Sequence, residues 1–174
     1  TKPWQSIYRP TLFLGKIALV TGGGTGIGRS IAIEIASLGA TTVIASRDEE
    51  KCREAAQEMN QILPKGCKGK IVAGPSCSIR NEEEVEQLIA FIIETFGAIH
   101  MLVNNAGGQF VCSAEDMSGN GFSAVVDTNL KGTFVCCREA YTQYMRDHGG
   151  TIVNITLGNR NGLVGMVHSA AARA

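Results

Sequence analysis

The chain has 174 residues, with 16 basic and 16 acidic side chains and no net charge. That length fits one domain at about 150 residues each. The neutral balance excludes the basic footprint of a nucleic-acid binder or of a protein held on an anionic membrane. A composition that is 44% hydrophobic and only 18% charged excludes a disordered chain.

Apolar runs of two lengths alternate along the sequence. Ile17 to Val20 is a predicted strand, ending in Thr21-Gly22. From Gly26 to Leu38 the residues Ile27, Ile31, Ile35 and Leu38 recur at helical spacing, and Gly39 is a natural stop. Thr42 to Ala45 reads as a second strand, and Asp48 to Leu63 as a polar helix closed by Pro64. Lys70 to Ala73 is a third strand. Asn81 to Phe96 is a helix, with Asn81 and Glu84 spaced as in a capping box. Met101 to Val103 is a fourth strand, Phe122 to Met145 a long helical stretch, and Thr151 to Ile155 a fifth strand. Lys65–Gly69 and Ser118–Gly121 read as loops.

Strands without polar alternation, separated by helices, predict a parallel sheet covered on both faces. Right-handed crossovers make it an α/β, doubly wound sheet of Rossmann type. Residues 1–14 are read as an N-terminal extension and 15–174 as the dinucleotide-binding domain. His168 to Ala174 reads as the opening of a further helix, so the fold is expected to be cut short after the fifth strand. No apolar run reaches 18 residues, so no membrane span is predicted. The first residues lack the order of a signal peptide. The six cysteines form no Cys-x-x-Cys pair, so no metal site is expected, and a reducing compartment is read.

The stretch from Thr21 to Gly28 lies between a strand and a helix. Its glycines allow a tight turn and close approach to a pyrophosphate, and the helix N-terminus adds N–H donors. Gly22, Gly24, Thr25, Gly26, Ile27 and Gly28 are therefore candidate cofactor-binding residues. The end of the second strand distinguishes the nicotinamide cofactors. Ser46 and Arg47 suit a 2′-phosphate and favour NADP(H). Asp48 points the other way unless it belongs to the next helix, and an ion pair of Arg47 with Asp48 or Glu50 is the alternative for that cation.

Asn104-Asn105-Ala106-Gly107 follows the fourth strand. Together with the glycine turn and Asn129, in Asp127-Thr128-Asn129-Leu130-Lys131-Gly132, it makes residues 14–174 resemble the short-chain dehydrogenase/reductase superfamily. The resemblance implies a nicotinamide cofactor and hydride transfer. It implies that Asn105, Ala106 and Gly107 flank the cofactor and that Asn129 helps hold a proton-relay water. Cys77 and Ser78 fall where the family contacts adenine, with Ser78 in place of its usual Asp.

Within the superfamily the likeness is closest to peroxisomal trans-2-enoyl-CoA reductases, with 2,4-dienoyl-CoA reductases next. It rests on Val43–Arg47, Ile79–Val85, Gly107–Phe110, Thr128–Phe134, His148–Ile155 and His168–Arg173. The usual Ser, Tyr and Lys of the family are replaced by Leu157, Ser169 and Arg173. Arg is a poor proton donor, so alcohol–ketone chemistry is not favoured. Reduction of a conjugated thioester needs instead a positioned substrate, donors at its oxygen and a proton. Asn129, Ser169 and Arg173 are the catalytic candidates, and the likeness places the proton-donating Tyr beyond Ala174. The expected activity is NADPH-dependent reduction of trans-2-enoyl-CoA to saturated acyl-CoA. The resemblance further implies a homo-oligomer at full length and a peroxisomal location, although Ala172-Arg173-Ala174 is not an address signal. A carbonyl reductase or hydroxyacyl dehydrogenase of the same fold, and an inactive cofactor-binding protein, stand as alternatives.

Overall fold

The structure, a computed structural model, describes residues 3–158 and 162–173. Five parallel strands form one sheet in the order β3-β2-β1-β4-β5. They are β1 (Ile17–Thr21), β2 (Thr41–Ala45), β3 (Lys70–Ala73), β4 (Met101–Asn104) and β5 (Thr151–Asn154). In register, Leu19 lies beside Val43 and Leu102, and Val20 beside Ile44 and Val103. Alternate residues therefore feed two separate cores. Leu19, Val43 and Leu102 pack on one face, and Val20, Ile44 and Val103 on the other. This is why the strands read as unbroken apolar runs.

Helices α1 (Gly26–Ser37) and α2 (Glu49–Ile62) supply the core residues Ala32, Ile33, Cys52 and Met59 on one face. Helix α3 (Glu82–Phe96) covers the other with Val85, Leu88, Ile89 and Ile92. A continuous helical stretch then runs from α4 (Gly119–Val126) through a π-helical turn (Asp127–Lys131) and α5 (Gly132–Ala140). A second π-helical turn (Tyr141–Met145) leads into α6 (Arg146–His148). This stretch begins earlier than its apolar periodicity indicated. Ser118–Gly121 is not a loop: the Ser118 hydroxyl accepts from the Gly121 N–H at 3.1 Å and caps the first turn of α4.

Helices α2 and α3 both start on side-chain caps, of which Asn81 was expected. Asp48 Oδ1 accepts from the Lys51 N–H at 3.1 Å and starts α2. Asn81 Oδ1 accepts from Glu83 N and Glu84 N and starts α3. Glu84 does not complete the expected box on the Asn81 backbone. Its carboxylate accepts instead from the Ser78 N–H at 2.7 Å and the Asn81 side-chain amide at 2.7 Å.

Burial on both faces holds for β1, whereas all four residues of β5 are exposed. Helix α7 (Val167–Arg173) follows, with His168, Ser169 and Ala172 buried. Trp4 and Ser6, in the stretch before β1, donate to the two carboxylate oxygens of Glu34 on α1. All six cysteines are free thiols. No helix among the described residues is long and apolar enough to cross a membrane. No group of three His, Cys, Asp or Glu side chains among them could hold a metal ion.

Candidate active site

A cavity of about 630 Å³ opens where the chain leaves the C-terminal ends of β1, β2, β4 and β5. The strand order reverses between β2-β1 and β4, so this crevice is the switch point at which doubly wound sheets bind ligands.

At one end lies the glycine turn. Gly22 has φ +65°, and a Cβ there would stand 3.0 Å from the Ala106 Cα. Gly28 is buried, and a Cβ there would lie 2.4 Å from Asn105 Nδ2 and 2.5 Å from the Gly22 carbonyl oxygen. Asn105 explains that tightness. Its amide donates to the Thr21 and Gly22 carbonyls at 3.0 and 3.1 Å, tying the end of β4 to the end of β1. Thr21 Oγ1 adds to the tie by accepting from the N–H groups of Asn105 and Ala106, both at 3.1 Å.

Helix α1 begins here, and it differs from α2, α3 and α4. Its N-cap, Thr25, makes no side-chain cap bond, and, unlike those of α2 and α3, its first turn holds no acid. The other three are capped by Asp48, Asn81 and Ser118. The uncapped end presents backbone N–H groups and the positive end of the helix dipole to the cavity, as a phosphate site requires.

Arg47 lines the cavity at the end of β2, exposed and without an ion pair among the described residues. Its acidic neighbours are engaged elsewhere. Asp48 pairs with Lys51 at 2.8 Å, Glu50 with Arg53 at 3.1 Å, and Glu49 with Arg53 as well. The hydrogen bond from the Lys51 side chain holds the Asp48 carboxyl below the usual carboxylate range. Asp48 therefore serves as a helix cap, and it does not line the cavity. The Ser46 hydroxyl closes the same turn on Asp48. Burial, with a smaller push from Glu84, raises the Cys77 thiol to about 12, so it contributes shape rather than reactivity.

The far end is assembled from distant segments. Asn129 is buried in the first π-helical turn, the kind of widened turn often found at functional sites. Its amide donates to the Gly108 carbonyl at 3.0 Å, and its Oδ1 accepts from the Gly108 N–H at 3.0 Å. Arg173 reaches in from α7 and donates to the Ala106 and Ile155 carbonyls and to Asn129 Oδ1. Leu157 lines the cavity where the family pattern has Ser.

Of the candidate residues, Gly22, Thr25, Gly26, Ile27, Ser46, Arg47, Cys77, Ser78, Asn105, Ala106, Gly107, Asn129 and Arg173 line the cavity. Gly24, Gly28 and Ser169 do not. Gly24 faces Ala55 of α2, and Gly28 packs on Asn105. Ser169 is fully buried, with its hydroxyl donating to Gln109 Oε1 at 2.7 Å. Gln109 is the cavity residue that motif reasoning passed over. With Oε1 held by Ser169, its amide N–H groups are the ones left to donate to a ligand. Behind it, His168 is fully buried, accepts from the Ser169 N–H at 2.8 Å and meets the Phe110 ring edge-on at 4.6 Å. The signal that could have found Gln109 was its place directly after Gly107-Gly108.

Residues 16–173 match the short chain dehydrogenase family. The chain belongs to the short-chain dehydrogenase/reductase family. It is 38% identical over 173 residues to a peroxisomal 2,4-dienoyl-CoA reductase [(3E)-enoyl-CoA-producing] of Danio rerio, covering 98% of this chain and 56% of that protein. It is 32% identical over 161 residues to a probable 2,4-dienoyl-CoA reductase [(2E)-enoyl-CoA-producing] of Bacillus subtilis, covering 91% of this chain and 61% of that one. Among solved structures, the citronellol catabolism dehydrogenase AtuB of Pseudomonas aeruginosa PAO1 superposes with a TM-score of 0.89. It is 43% identical, over 98% of this chain and 67% of that one. The chain thus spans little more than half the length of the two dienoyl-CoA reductases. The Danio rerio and Bacillus subtilis relatives are of the dienoyl type, second to the trans-2-enoyl type in motif likeness.

Membership of the short-chain dehydrogenase/reductase family implies a nicotinamide cofactor, NAD or NADP. The residues present fit one. The uncapped start of α1 suits a pyrophosphate, and the space beside Gly26, where a Cβ would meet nothing within 4 Å, leaves room for it.

Proposed function

We propose that residues 15–174 form the dinucleotide-binding domain, and 1–14 an extension, of an NADPH-dependent reductase of trans-2-enoyl-CoA thioesters, yielding saturated acyl-CoA. The observation that carries the reading is the cavity itself, which runs from the unpaired Arg47 past the uncapped helix α1 to the Gln109 amide. Arg47 would hold the 2′-phosphate through its forked donors. Ser78 and Cys77 would border the adenine, and the start of α1 the pyrophosphate. Asn105, Ala106 and Gly107 would flank the nicotinamide. The bound cofactor would supply a hydride.

The protein's own contribution at the reacting end is a set of donors. Charge develops on the thioester oxygen as a conjugated thioester is reduced, and fixed donors aimed there stabilise it. Gln109 offers an amide N–H whose orientation Ser169 fixes. Arg173 contributes a permanent positive charge. Asn129 keeps Gly108, and so the Gln109 loop, in place.

Reduction of 2,4-dienoyl-CoA is a second reading, favoured by the names of the Danio rerio and Bacillus subtilis relatives. It calls for the same donors at the same oxygen. Peroxisomal location is proposed with it, supported by the Danio rerio name, as is a homo-oligomeric state.

The test titrates the chain with NADPH and NADH by nucleotide fluorescence. NADPH oxidation is then followed with a medium-chain trans-2-enoyl-CoA, a 2,4-dienoyl-CoA and a simple ketone. Tighter NADPH binding with enoyl-CoA turnover is the expected result. Turnover of the dienoyl-CoA alone selects the second reading. Ketone reduction alone overturns both.

A further inference from the structure

We propose that Arg173 is a positioning residue that clamps three chain segments into the far end of the cavity, and that residue 107 is glycine to make room for it. The guanidinium donates to the Ala106 carbonyl after β4 at 3.0 Å and the Ile155 carbonyl after β5 at 3.1 Å. It also donates to Asn129 Oδ1 in the π-helical turn at 3.4 Å. All three acceptors are neutral oxygens, and no carboxylate pairs with Arg173 among the described residues.

The geometry explains why a clamp is needed here. The bonds between β4 and β5 run out at the Ile155 N–H, which donates to the Asn104 carbonyl at 2.9 Å. Beyond that point the two chains separate around the cavity, and their next inward carbonyls lack sheet partners. A planar fork with five donors can bridge carbonyls on two diverging chains. A lysine in the same place offers a single nitrogen on a flexible stem and cannot span them. The backbone adds a return tie, since the Leu157 N–H donates to the Arg173 carbonyl at 3.2 Å.

Gly107 is the counterpart. It is not among the positive-φ glycines, so its backbone alone does not demand glycine. A Cβ there would lie 1.6 Å from Arg173 Nη2 and 2.7 Å from both Arg173 Cζ and Asn129 Oδ1. The two residues therefore specify each other. A lysine in place of Arg173 should therefore damage the site.

The first arm of the test needs no cofactor. Melting temperatures of the chain and of Gly107→Ala, Arg173→Ala and the double variant form a cycle. Gly107→Ala is expected to lower the melting temperature by about 5 °C in the parent, as overpacking does. In the Arg173→Ala background the loss should shrink to the smaller part owed to the 2.7 Å approach to Asn129 Oδ1. An equal loss in both backgrounds overturns the pairing. Should Arg173→Ala not fold, Arg173→Met closes the same cycle.

The second arm rests on the proposed cofactor site. NADPH affinity should fall about tenfold or more in Arg173→Lys, because loss of alignment is what is being tested. Low concentrations of guanidinium should restore binding to Arg173→Ala, and butylammonium should not. Unchanged NADPH affinity in Arg173→Lys overturns the clamp. If the parent chain binds neither nucleotide, the cofactor reading fails, and the melting cycle still decides the clamp.

Discussion

The two ends of the cavity are built in opposite ways. The end at the glycine turn is made of backbone: Gly22, Gly26 and the open start of α1, tied by the side chains of Asn105 and Thr21. The far end is held by two side chains, Arg173 from α7 and Asn129 from the π-helical turn, which gather the backbone that follows β4 and β5. The strands beneath follow the same division, with β1 wholly buried and β5 wholly exposed. The first end is local and rigid, so its function depends on the absence of side chains. The second is long-range, so its function depends on specific side chains arriving together.

The largest effect that would break this contrast is at Gly28. Gly28→Ala drives a methyl into the Asn105 amide and the Gly22 carbonyl, at 2.4 and 2.5 Å. A loss of about 3 kcal/mol is expected, because backbone cannot move aside. Gly26→Ala is the control: φ is +53° but nothing lies within 4 Å, so only about 1 kcal/mol of backbone strain is expected. Urea unfolding of both variants checks the difference, and equal losses would remove the steric argument.

At the far end, Gln109→Ala should lower kcat/KM for the enoyl-CoA by about 100-fold while leaving NADPH affinity unchanged. Ser169→Ala should give a smaller loss, since it frees the amide to turn without removing it. If Ser169→Ala is the more damaging of the two, Gln109 is not the donor.

Cofactor choice sharpens the comparison further. Arg47→Glu should reverse the preference for NADPH over NADH by more than about tenfold at low salt. Asp48→Ala should lower the melting temperature through loss of the α2 cap and leave that preference as it was. A changed preference in Asp48→Ala would show that the carboxylate serves the ribose after all.

The smallest expected effect concerns the opposite end of the strands. His100 Nδ1 accepts from the Ile17 N–H at 3.0 Å at the start of β1. Burial, helped by Lys16, lowers its pKa below the ordinary 6.5. The unfolded chain thus binds this proton more readily than the folded one. Its stabilising share is complete above pH 6.5 and is lost as the pH falls from there through the folded pKa. Melting curves between pH 7.5 and 5 should show this slope, and His100→Gln should flatten it.

Much of the first end could be read from the chain before any coordinates. Short apolar runs, Gly39 as a stop and Asn81 as a cap are signals carried within a few residues. The beginning of α4 was missed because Gly119, Asn120 and Gly121 are poor helix formers. There the Ser118 cap and the packing beyond it outweigh propensity. At the far end, Ser169 stood at a position the family uses for catalysis, yet it is buried behind Gln109.

The sequence alone determined the order of strands and helices, the glycine turn, the Asn81 cap and the presence of a cation after β2. Each of these depends on neighbours within about one turn of helix or one strand, so local chemistry suffices. Only the tertiary structure decided that Arg47 stays unpaired, that Gln109 faces the cavity, and that Arg173 binds carbonyls of Ala106 and Ile155. The Arg173 bonds join residues 18 and 67 positions apart. No local pattern records such a meeting, because it is fixed by which strands lie side by side and where they part.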